Sequence, residues 1–268
     1  MMTELRSEFR KLLTVRSTYF ITGLAALAVM AIGFYIEGWQ LSGTDLLNPG
    51  LFTSDVAGSL MIMVVGAVVA ILLMTHEYRY NTILYTLTAS RSRSKVLAAK
   101  VITISVYAVF LTALIGILAP VFSNLGIHAH GHVLVPQTLH IGTLVWHSLF
   151  YGWAYSMAGL VLAVLIRSQV GAIVALFLIP GLVEGLLTQL LKHNSVYMPF
   201  TALGQVINSG GAATATTNGG RASREAAKHL SEIGSLSPGR AALVFLGYLV
   251  VVGAVAWFLF LRRDANNG

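Results

Sequence analysis

The sequence predicts an all-α protein that crosses a membrane six times. Of its 268 residues, 56% are hydrophobic and only 10% are charged, and its mean hydropathy is +0.77. Soluble domains carry about 25% charged residues, so a water-soluble globule is excluded. The apolar residues fall into runs long enough for a helix to cross a hydrocarbon layer, which takes about 20 residues. Short basic segments separate several of these runs.

The charge and cysteine content narrow the possible functions. The chain contains no cysteine, which excludes disulfides and thiolate metal sites. Its net charge of +7 is spread over separate short segments rather than gathered on one domain, so we do not expect nucleic acid as a partner. Basic segments between apolar runs instead suit a membrane with anionic headgroups. Lipids are therefore the first predicted partner.

We treat residues 1–268 as one transmembrane domain with six spans. The first apolar run is longer than the core of a signal peptide, so we expect it to be retained. The stretch between Lys100 and Arg167 has no charged residue and is too long for one crossing. We place its break at Pro120 and the polar residues that follow. The predicted spans are residues 19–39, 56–75, 96–119, 142–166, 170–191 and 241–261, with an outer re-entrant or mobile segment at 192–240.

The distribution of lysine and arginine predicts that both termini are cytoplasmic. Loops 41–55 and 121–141 contain neither residue, as expected outside the cell. The five basic residues of segment 192–240 are the exception, and long translocated segments obey the charge bias poorly. This topology indicates a multi-pass protein of the plasma membrane, here the bacterial inner membrane. The twelve basic residues on the inner side are Arg6, Arg10, Lys11, Arg16, Arg79, Arg91, Arg93, Lys95, Lys100, Arg167, Arg262 and Arg263.

Residues 3–16 predict an amphipathic helix that lies along the inner membrane surface. Leu5, Phe9 and Leu12 recur at helical spacing, whereas Arg6 and Arg10 fall on other faces. Basic groups on such a helix contact anionic headgroups. The helix is either a topological anchor alone or also a contact for a cytoplasmic partner. Its candidate contact residues are Glu8, Phe9, Lys11 and Leu12.

The inner loop after the second predicted span is too polar to enter lipid and too apolar for a passive linker. A short helix from about Thr82 would bring Ile83, Leu84 and Leu87 together. An exposed apolar face at the membrane surface indicates that another molecule packs on it. The loop is therefore a candidate docking element.

This loop carries a resemblance to a known family. Glu77-Tyr78-Arg79, then Thr82-Ile83, an arginine-rich turn and the sequence from Val96 to Lys100 resemble the inner loop of ABC-2 type transporter permeases. These are the membrane subunits of ATP-binding-cassette exporters. The amphipathic first helix and the closing Arg262-Arg263-Asp264 are similar to further features of the family. The resemblance implies a coupling helix that docks on an ATPase subunit. The implied coupling residues are Glu77, Tyr78, Arg79, Thr82, Ile83, Leu84, Leu87, Arg91 and Arg93.

The resemblance also implies partners. The sequence contains no G-x-x-x-x-G-K-[ST] phosphate loop, so we do not expect this chain to hydrolyse ATP or to be an enzyme by itself. ATP and Mg are expected on a separate ABC ATPase subunit, present in two copies, and no cofactor is expected in this chain. A complete transporter of the family resembles two six-span halves, which implies a second permease, either a copy of this chain in a homodimer or a sister permease. The implied function is export of an amphipathic or hydrophobic peptide, drug or lipid by ATP-driven alternating access.

Two residues of the fifth predicted span are candidates for translocation or gating. Glu184 is ionisable within an apolar run, where such groups are functional candidates. Pro180 predicts a kink that a moving gate would need. The alternatives are that Glu184 simply reaches outer water and that the small residues nearby serve helix packing.

Alternating histidines in the loop between the third and fourth predicted spans form a weak candidate metal site. His128, His130 and His132 would place three rings on one side of an extended strand, and imidazole is a common metal ligand. No carboxylate lies near them in sequence, and a solvated loop is the alternative. Two other functions therefore stay open, a membrane metalloprotein that uses these histidines and a non-transporting scaffold or sensor subunit.

Overall fold

The computed structural model describes residues 2–39, 64–80, 82, 85, 92–131, 141–208 and 236–262. This part of the chain is almost entirely helical and has no β-strand, which confirms the all-α prediction. The second predicted span is described only from Val64 onward. Five helices in the described residues are long and apolar enough to cross a membrane: Arg16–Ile36, Arg93–Ala129, Val145–Ile166, Gln169–Tyr197 and Pro238–Arg262.

The described residues form nine α-helices with π-helical and 3₁₀ connections. A π-helical segment, Ile32–Trp39, extends the second helix, and another, Ile179–Val183, joins the sixth to the seventh. A 3₁₀ segment, Lys192–Tyr197, precedes the eighth. The α-helices are α1 Met2–Thr14, α2 Arg16–Ala31, α3 Val64–Arg79, α4 Arg93–Ala129, α5 Ile141–Ile166, α6 Gln169–Leu178, α7 Glu184–Leu191, α8 Pro199–Asn208 and α9 Pro238–Arg262.

Helix α3 lies at the centre of the described core and packs closely on α5. Small residues line the crossing, and a Cβ added at Gly159 would lie 2.6 Å from the carbonyl oxygen of Ala67. Small side chains let helices approach closely in lipid, where van der Waals packing drives their association. Ile71 and Met74, farther along α3, are completely buried. The element that leads into the inner loop is therefore firmly anchored.

Helix α4 continues well past the predicted end of the third span. The prediction that Pro120 breaks this helix is wrong, because α4 runs unbroken to Ala129. A proline removes one backbone hydrogen bond, and helices in apolar surroundings tolerate this loss when neighbours pack around them. Here the extra turns pack against the π-helical segment Ile32–Trp39, and Gly33 approaches the carbonyl oxygen of Ala119.

The same crossing gives a prediction for Gly126. A Cβ added there would fall on the carbonyl oxygen of Phe34 and 3.0 Å from Cα of Gly38, so the two helices would have to separate. We expect Gly126→Ala to lower the free energy of unfolding by about 1–3 kcal/mol, the usual cost of overpacking. Gly116→Ala on the same helix is the matched control, because its Cβ would meet open space. Equal melting temperatures of the two variants in detergent would contradict the close approach.

Helices α1 and α2 meet at a sharp corner at Val15, whose backbone is extended at φ −75° and ψ 113°. Leu12 of α1 is buried against the core, whereas Arg6 and Arg10 are exposed. Helix α1 spans Met2–Thr14, close to the predicted range 3–16, and it is amphipathic as predicted. The corner separates α1 from the apolar run of α2.

The first part of the predicted outer segment folds onto the bundle. Helix α8 packs on α9 and α5, where the ring of Phe200 lies 5.4 Å from that of Tyr155 and 6.2 Å from that of Phe245. The predicted re-entrant or mobile segment 192–240 therefore begins with ordered helix. Residues 209–235 of that segment lie outside the described part of the chain.

Candidate functional site

Four charged residues meet where α1, α3 and α4 come together, and we call them the ion cluster: Glu8, Lys11, Glu77 and Lys100. Lys100 Nζ lies 2.8 Å from Glu8 Oε2 and 2.8 Å from Glu77 Oε1. Lys11 Nζ lies 2.6 Å from Glu8 Oε1 and 2.6 Å from Glu77 Oε1. Each lysine therefore bridges both carboxylates, and the two charges of each sign cancel.

The ion cluster is buried, which makes its pairing essential. Lys100 and Glu8 are almost completely inaccessible, and Glu77 is nearly so. An unpaired charge in such a place costs several kcal/mol, so it persists only when opposite charges and hydrogen bonds surround it. Helix α1 contributes Glu8 and Lys11 one turn apart, which places both on the face that covers α3 and α4. The cluster thus fastens the amphipathic helix to both helices that border the inner loop.

The cluster also shifts the pKa values of Glu77 and Lys11. Burial disfavours the carboxylate of Glu77, but Lys100 and Lys11 outweigh this effect and hold the pKa of Glu77 below its ordinary value. Burial likewise disfavours the ammonium of Lys11, but Glu77 and then Glu8 outweigh it and raise the pKa of Lys11 above its ordinary value. Both groups therefore remain charged at neutral pH.

A second contact joins the end of α3 to the turn between α5 and α6. The guanidinium of Arg167 lies 5.3 Å from the ring centre of Tyr78, within the range of a cation–π interaction. Arg167 has a φ of +56°, in the left-handed region that favours glycine. Adjacent residues of α3, Glu77 and Tyr78, thus contact different parts of the bundle.

The predicted coupling residues fall into four groups. Glu77 is buried in the ion cluster rather than exposed for a partner, and Tyr78 is half-buried under Arg167. Arg93 donates to the carbonyl oxygen of Leu261, 3.2 Å away at the end of α9. Arg79 and Thr82 are exposed, and their neighbours Tyr80 and Tyr85 are 64% and 77% exposed. The remaining coupling residues lie outside the described part of the chain: Ile83, Leu84, Leu87 and Arg91.

The predicted contact residues of α1 do not share one environment. Glu8 and Leu12 are buried, and Lys11 and Phe9 are half-buried. Sequence reasoning placed all four on a surface helix but did not pair Glu8 or Lys11 with any residue. A signal was present, because Lys100 lies within the predicted third span, where an ionisable residue requires a partner.

Glu184 holds the start of helix α8. Its carboxylate accepts hydrogen bonds from the backbone N–H of Phe200 at 2.9 Å and from the backbone N–H and hydroxyl of Thr201 at 2.7 and 2.8 Å. A helix N-terminus favours an anion, since its first N–H groups lack partners within the helix. Glu184 is buried, so the alternative in which it simply reaches outer water is wrong. It connects the fifth predicted span to α8.

This arrangement predicts that Glu184→Gln loosens the outer segment. A neutral amide has one acceptor oxygen and no charge, so we expect a loss of about 2 kcal/mol, the scale of hydrogen bonds to charged groups. The cysteine-free chain permits a reporter at the fully buried Ser195. Maleimide should label Ser195→Cys faster when Glu184→Gln is present. Thr201→Val, which removes one bond, should have a smaller effect, and unchanged labelling in both would contradict the assignment.

Pro180 lies in the π-helical segment Ile179–Val183 between α6 and α7. The predicted kink site is therefore a local change of helical winding within a continuous helical stretch. Such segments are frequent at functional positions. A role for Pro180 in gating stays a prediction.

The histidines do not adopt the predicted extended strand. His128 lies in the last turn of α4 and His130 follows that helix, with its ring 4.9 Å from that of Trp39. Residues two apart on a helix point to different sides, so the prediction of neighbouring rings is wrong for this pair. His132 lies outside the described residues. Within the described ranges, no three histidine or acidic residues converge as a metal site.

Comparison with known proteins identifies the class. Residues 4–184, more than half of the chain, match the family model described as ABC-2 family transporter protein. The chain therefore belongs to this family, and the resemblance drawn from residues 77–100 is confirmed. No curated protein sequence matches the chain. It is a multi-pass membrane protein and the permease subunit of an ABC transporter, a transport component that acts with an ABC ATPase subunit and is not itself catalytic.

Proposed function

We propose that the inner loop, residues 80–92, docks on a separate ATPase subunit and that ATP-driven alternating access exports an amphipathic or hydrophobic substrate. The observation that carries this proposal is the ion cluster. Glu77, which precedes the inner loop, binds Lys11 of α1. Lys100, which follows the loop, binds Glu8 of α1 and also Glu77. A force applied to the loop would therefore move α1, α3 and α4 as one unit.

Exposed residues in the inner loop and directly before it suit a protein partner. Tyr80 and Tyr85 are largely exposed, and Arg79 stands beside them with its guanidinium 5.8 Å from the ring centre of Tyr80. Tyrosine and arginine are the residue types most enriched at binding hot spots. We assign Arg79 and Arg91 to polar contacts with the ATPase and Ile83, Leu84 and Leu87 to its apolar pocket. Glu77 then acts as a positioning residue behind the contact surface.

Transmission can follow two routes from the end of α3. The ion cluster leads to α1 and α4, and the contact between Tyr78 and Arg167 leads to the turn before α6. Helices α6 and α7 form the fifth predicted span, and Glu184 of α7 holds α8. Movement of the loop would thereby reach the predicted outer side. Pro180, in the π-helical segment between α6 and α7, is the proposed place of bending.

The proposed assembly contains two copies of this chain and two ATPase subunits, which carry the ATP and Mg. Each copy supplies six spans and keeps both termini in the cytoplasm of a bacterial cell, with the transmembrane domain covering residues 1–268. The cargo would occupy the cleft between the copies. Apolar and small side chains dominate the spans, which suits an amphipathic peptide, a drug or a lipid.

The experiment that tests this function is reconstitution of the chain with its ATPase in proteoliposomes. We expect the complex to hydrolyse ATP faster when transported substrate is added and to move that substrate across the bilayer only with ATP. A scaffold or sensor subunit would bind the ATPase without substrate-dependent turnover. That outcome, obtained across peptides, cationic drugs and lipids, would contradict the transport assignment.

A further inference from the structure

A cavity of about 270 Å³ lies between α4, α5 and α9, and we call it the lateral cavity. Along α9 its lining runs from Leu249 to Trp257, about 12 Å at 1.5 Å per residue, so it extends from near the end of this helix toward its middle. Val250 in the lining is 67% exposed, whereas Leu160 of α5 is 2% exposed. The lateral cavity is therefore closed on the side of α5 and opens beside α9.

The wall of the lateral cavity suits a hydrocarbon chain. Aliphatic side chains, Met157, Trp153 and Trp257 line it, and among the described residues that line it none is ionisable. The indole N–H of Trp153 donates to Ser105 Oγ at 3.1 Å, so this polar atom is bonded within the protein. Apolar cavities stay dry and take up apolar ligands. Because all three helices are long and apolar enough to cross a membrane, the apolar ligand that surrounds the opening is the acyl chain of a lipid.

A basic residue lies next to one end of the lateral cavity. Arg93 precedes the lining residue Leu97 by one turn of α4. Its guanidinium donates to the carbonyl oxygen of Leu261 at 3.2 Å, one turn after Trp257 of α9. Arg93 thus bridges the ends of both helices about 6 Å along each helix axis from the cavity lining. A guanidinium stays charged and binds phosphate oxygens in a fork geometry, and Arg93 is only half-buried.

The charges around this end of the lateral cavity favour an anionic headgroup. The sequences of α4, α5 and α9 contain no aspartate or glutamate. Arg93, Lys95 and Arg262 lie in the terminal turns of α4 and α9 at the predicted inner surface. Basic sites between transmembrane helices on the cytoplasmic side bind anionic lipid headgroups. The cavity therefore combines an apolar wall with a cation at the depth of a headgroup.

We propose that the lateral cavity binds an anionic phospholipid, with one acyl chain against Trp153 and Trp257 and the headgroup phosphate on Arg93. The apolar wall accepts the chain of any phospholipid, so the contact with Arg93 supplies the preference for a negative charge. The site belongs to the helical bundle itself, and lipid binding there requires neither the ATPase nor transport.

Quenching by brominated lipids tests the proposal on the full chain. Replacing Trp39 and Trp146 with phenylalanine leaves Trp153 and Trp257 as the only tryptophans. The protein is placed in phosphatidylcholine bilayers with a minor fraction of dibrominated phosphatidylglycerol or dibrominated phosphatidylcholine, whose bromine atoms quench an indole on contact. We expect phosphatidylglycerol to reach half-maximal quenching at about one fifth of the mole fraction, the effect of one basic residue on an anionic lipid. Equal quenching by the two lipids, as random lipid contact would give, would overturn the proposal.

Two charge variants of α4 test the headgroup contact. Arg93→Gln should bring the ratio of the two mole fractions close to one. Lys95→Gln removes the same charge from an exposed position two residues along, which points to a different side of the helix, and should keep the ratio at about five. Equal ratios in the two variants would show that the preference comes from the general surface charge and would overturn the assignment to Arg93.

A cavity-filling variant locates the acyl chain. A Cβ added at Gly253 would lie 3.9 Å from Val161 Cγ2 in the cavity wall, so Gly253→Leu places apolar atoms in the cavity without altering any charge. It should abolish the advantage of phosphatidylglycerol. Gly247→Leu is the matched control on the exposed side of α9, where a Cβ meets open space, and should keep that advantage. An advantage that persists in Gly253→Leu would place the lipid elsewhere. If Gly253→Leu does not fold, the comparison of Arg93→Gln with Lys95→Gln still decides.

Discussion

Replacing Lys100 with methionine is expected to destabilise this protein more than any other single change at the candidate site. Methionine leaves the buried carboxylates of Glu8 and Glu77 with only Lys11 as a counter-charge. Removing one partner from a buried ion pair typically costs about 3–5 kcal/mol, because the remaining charge is uncompensated. The free energy of unfolding in mixed detergent micelles measures the effect.

Two comparison variants distinguish the loss of a buried, paired lysine from the loss of any lysine. Lys95→Met alters an exposed lysine near the start of the same helix and should change stability by less than about 0.5 kcal/mol. The double variant Glu8→Gln with Lys100→Met leaves the neutral pair of Lys11 and Glu77, so it should recover much of the loss. A double variant as unstable as the sum of its single variants would show that the two residues act independently.

Leu84→Asp is expected to separate the permease from its ATPase. Leu84 lies outside the described residues, and it belongs to the apolar set that the sequence places on the docking face. A carboxylate in a desolvated pocket removes an apolar contact and adds a buried charge, and hot-spot losses are about 2 kcal/mol or more. We therefore expect copurified ATPase to fall at least roughly tenfold, measured by affinity capture of the tagged permease.

The control for this loss is Tyr197→Asp, an equally drastic change at an exposed position in the predicted outer segment. It should leave copurification unchanged. Both variants must reach the membrane in similar amounts, which immunoblotting of the membrane fraction measures. If Leu84→Asp retained the ATPase at normal levels, the apolar face of the inner loop would not be the docking surface.

The helical class and the positions of most elements follow from the sequence, because long apolar runs specify helices with little ambiguity. The predicted fourth span, 142–166, coincides with helix Ile141–Ile166. The predicted end of the third span at Pro120 is wrong, because a proline ends helices in water more reliably than in an apolar bundle. Helix α4 instead ends just before Gly131, whose φ of +81° is typical of a glycine that terminates a helix. The turns beyond Pro120 pack against Gly33 and Gly38.

The candidate site was only partly predictable for a similar reason. The sequence marks Glu77 as a functional candidate by its place in the inner loop and Lys11 by its place in an amphipathic helix. Their pairing depends on the tertiary structure, which the sequence pattern does not reveal. The residue that completes the cluster, Lys100, enters the sequence prediction only through the topology and the family resemblance, although its place within a predicted span requires a partner. Glu184 stands out in the sequence as an ionisable residue within an apolar run, yet its partners, the first N–H groups of α8, carry no side-chain signal in the sequence.

The most direct test of the central claim is a photo-cross-linking amino acid at Tyr85, an exposed aromatic residue within the inner loop. In cells that express both proteins, the account predicts a cross-link to the ATPase subunit from this position. The same amino acid at Trp146, exposed at the predicted outer end of α5, should give none. A cross-link to the ATPase from Trp146 but not from Tyr85 would contradict the account.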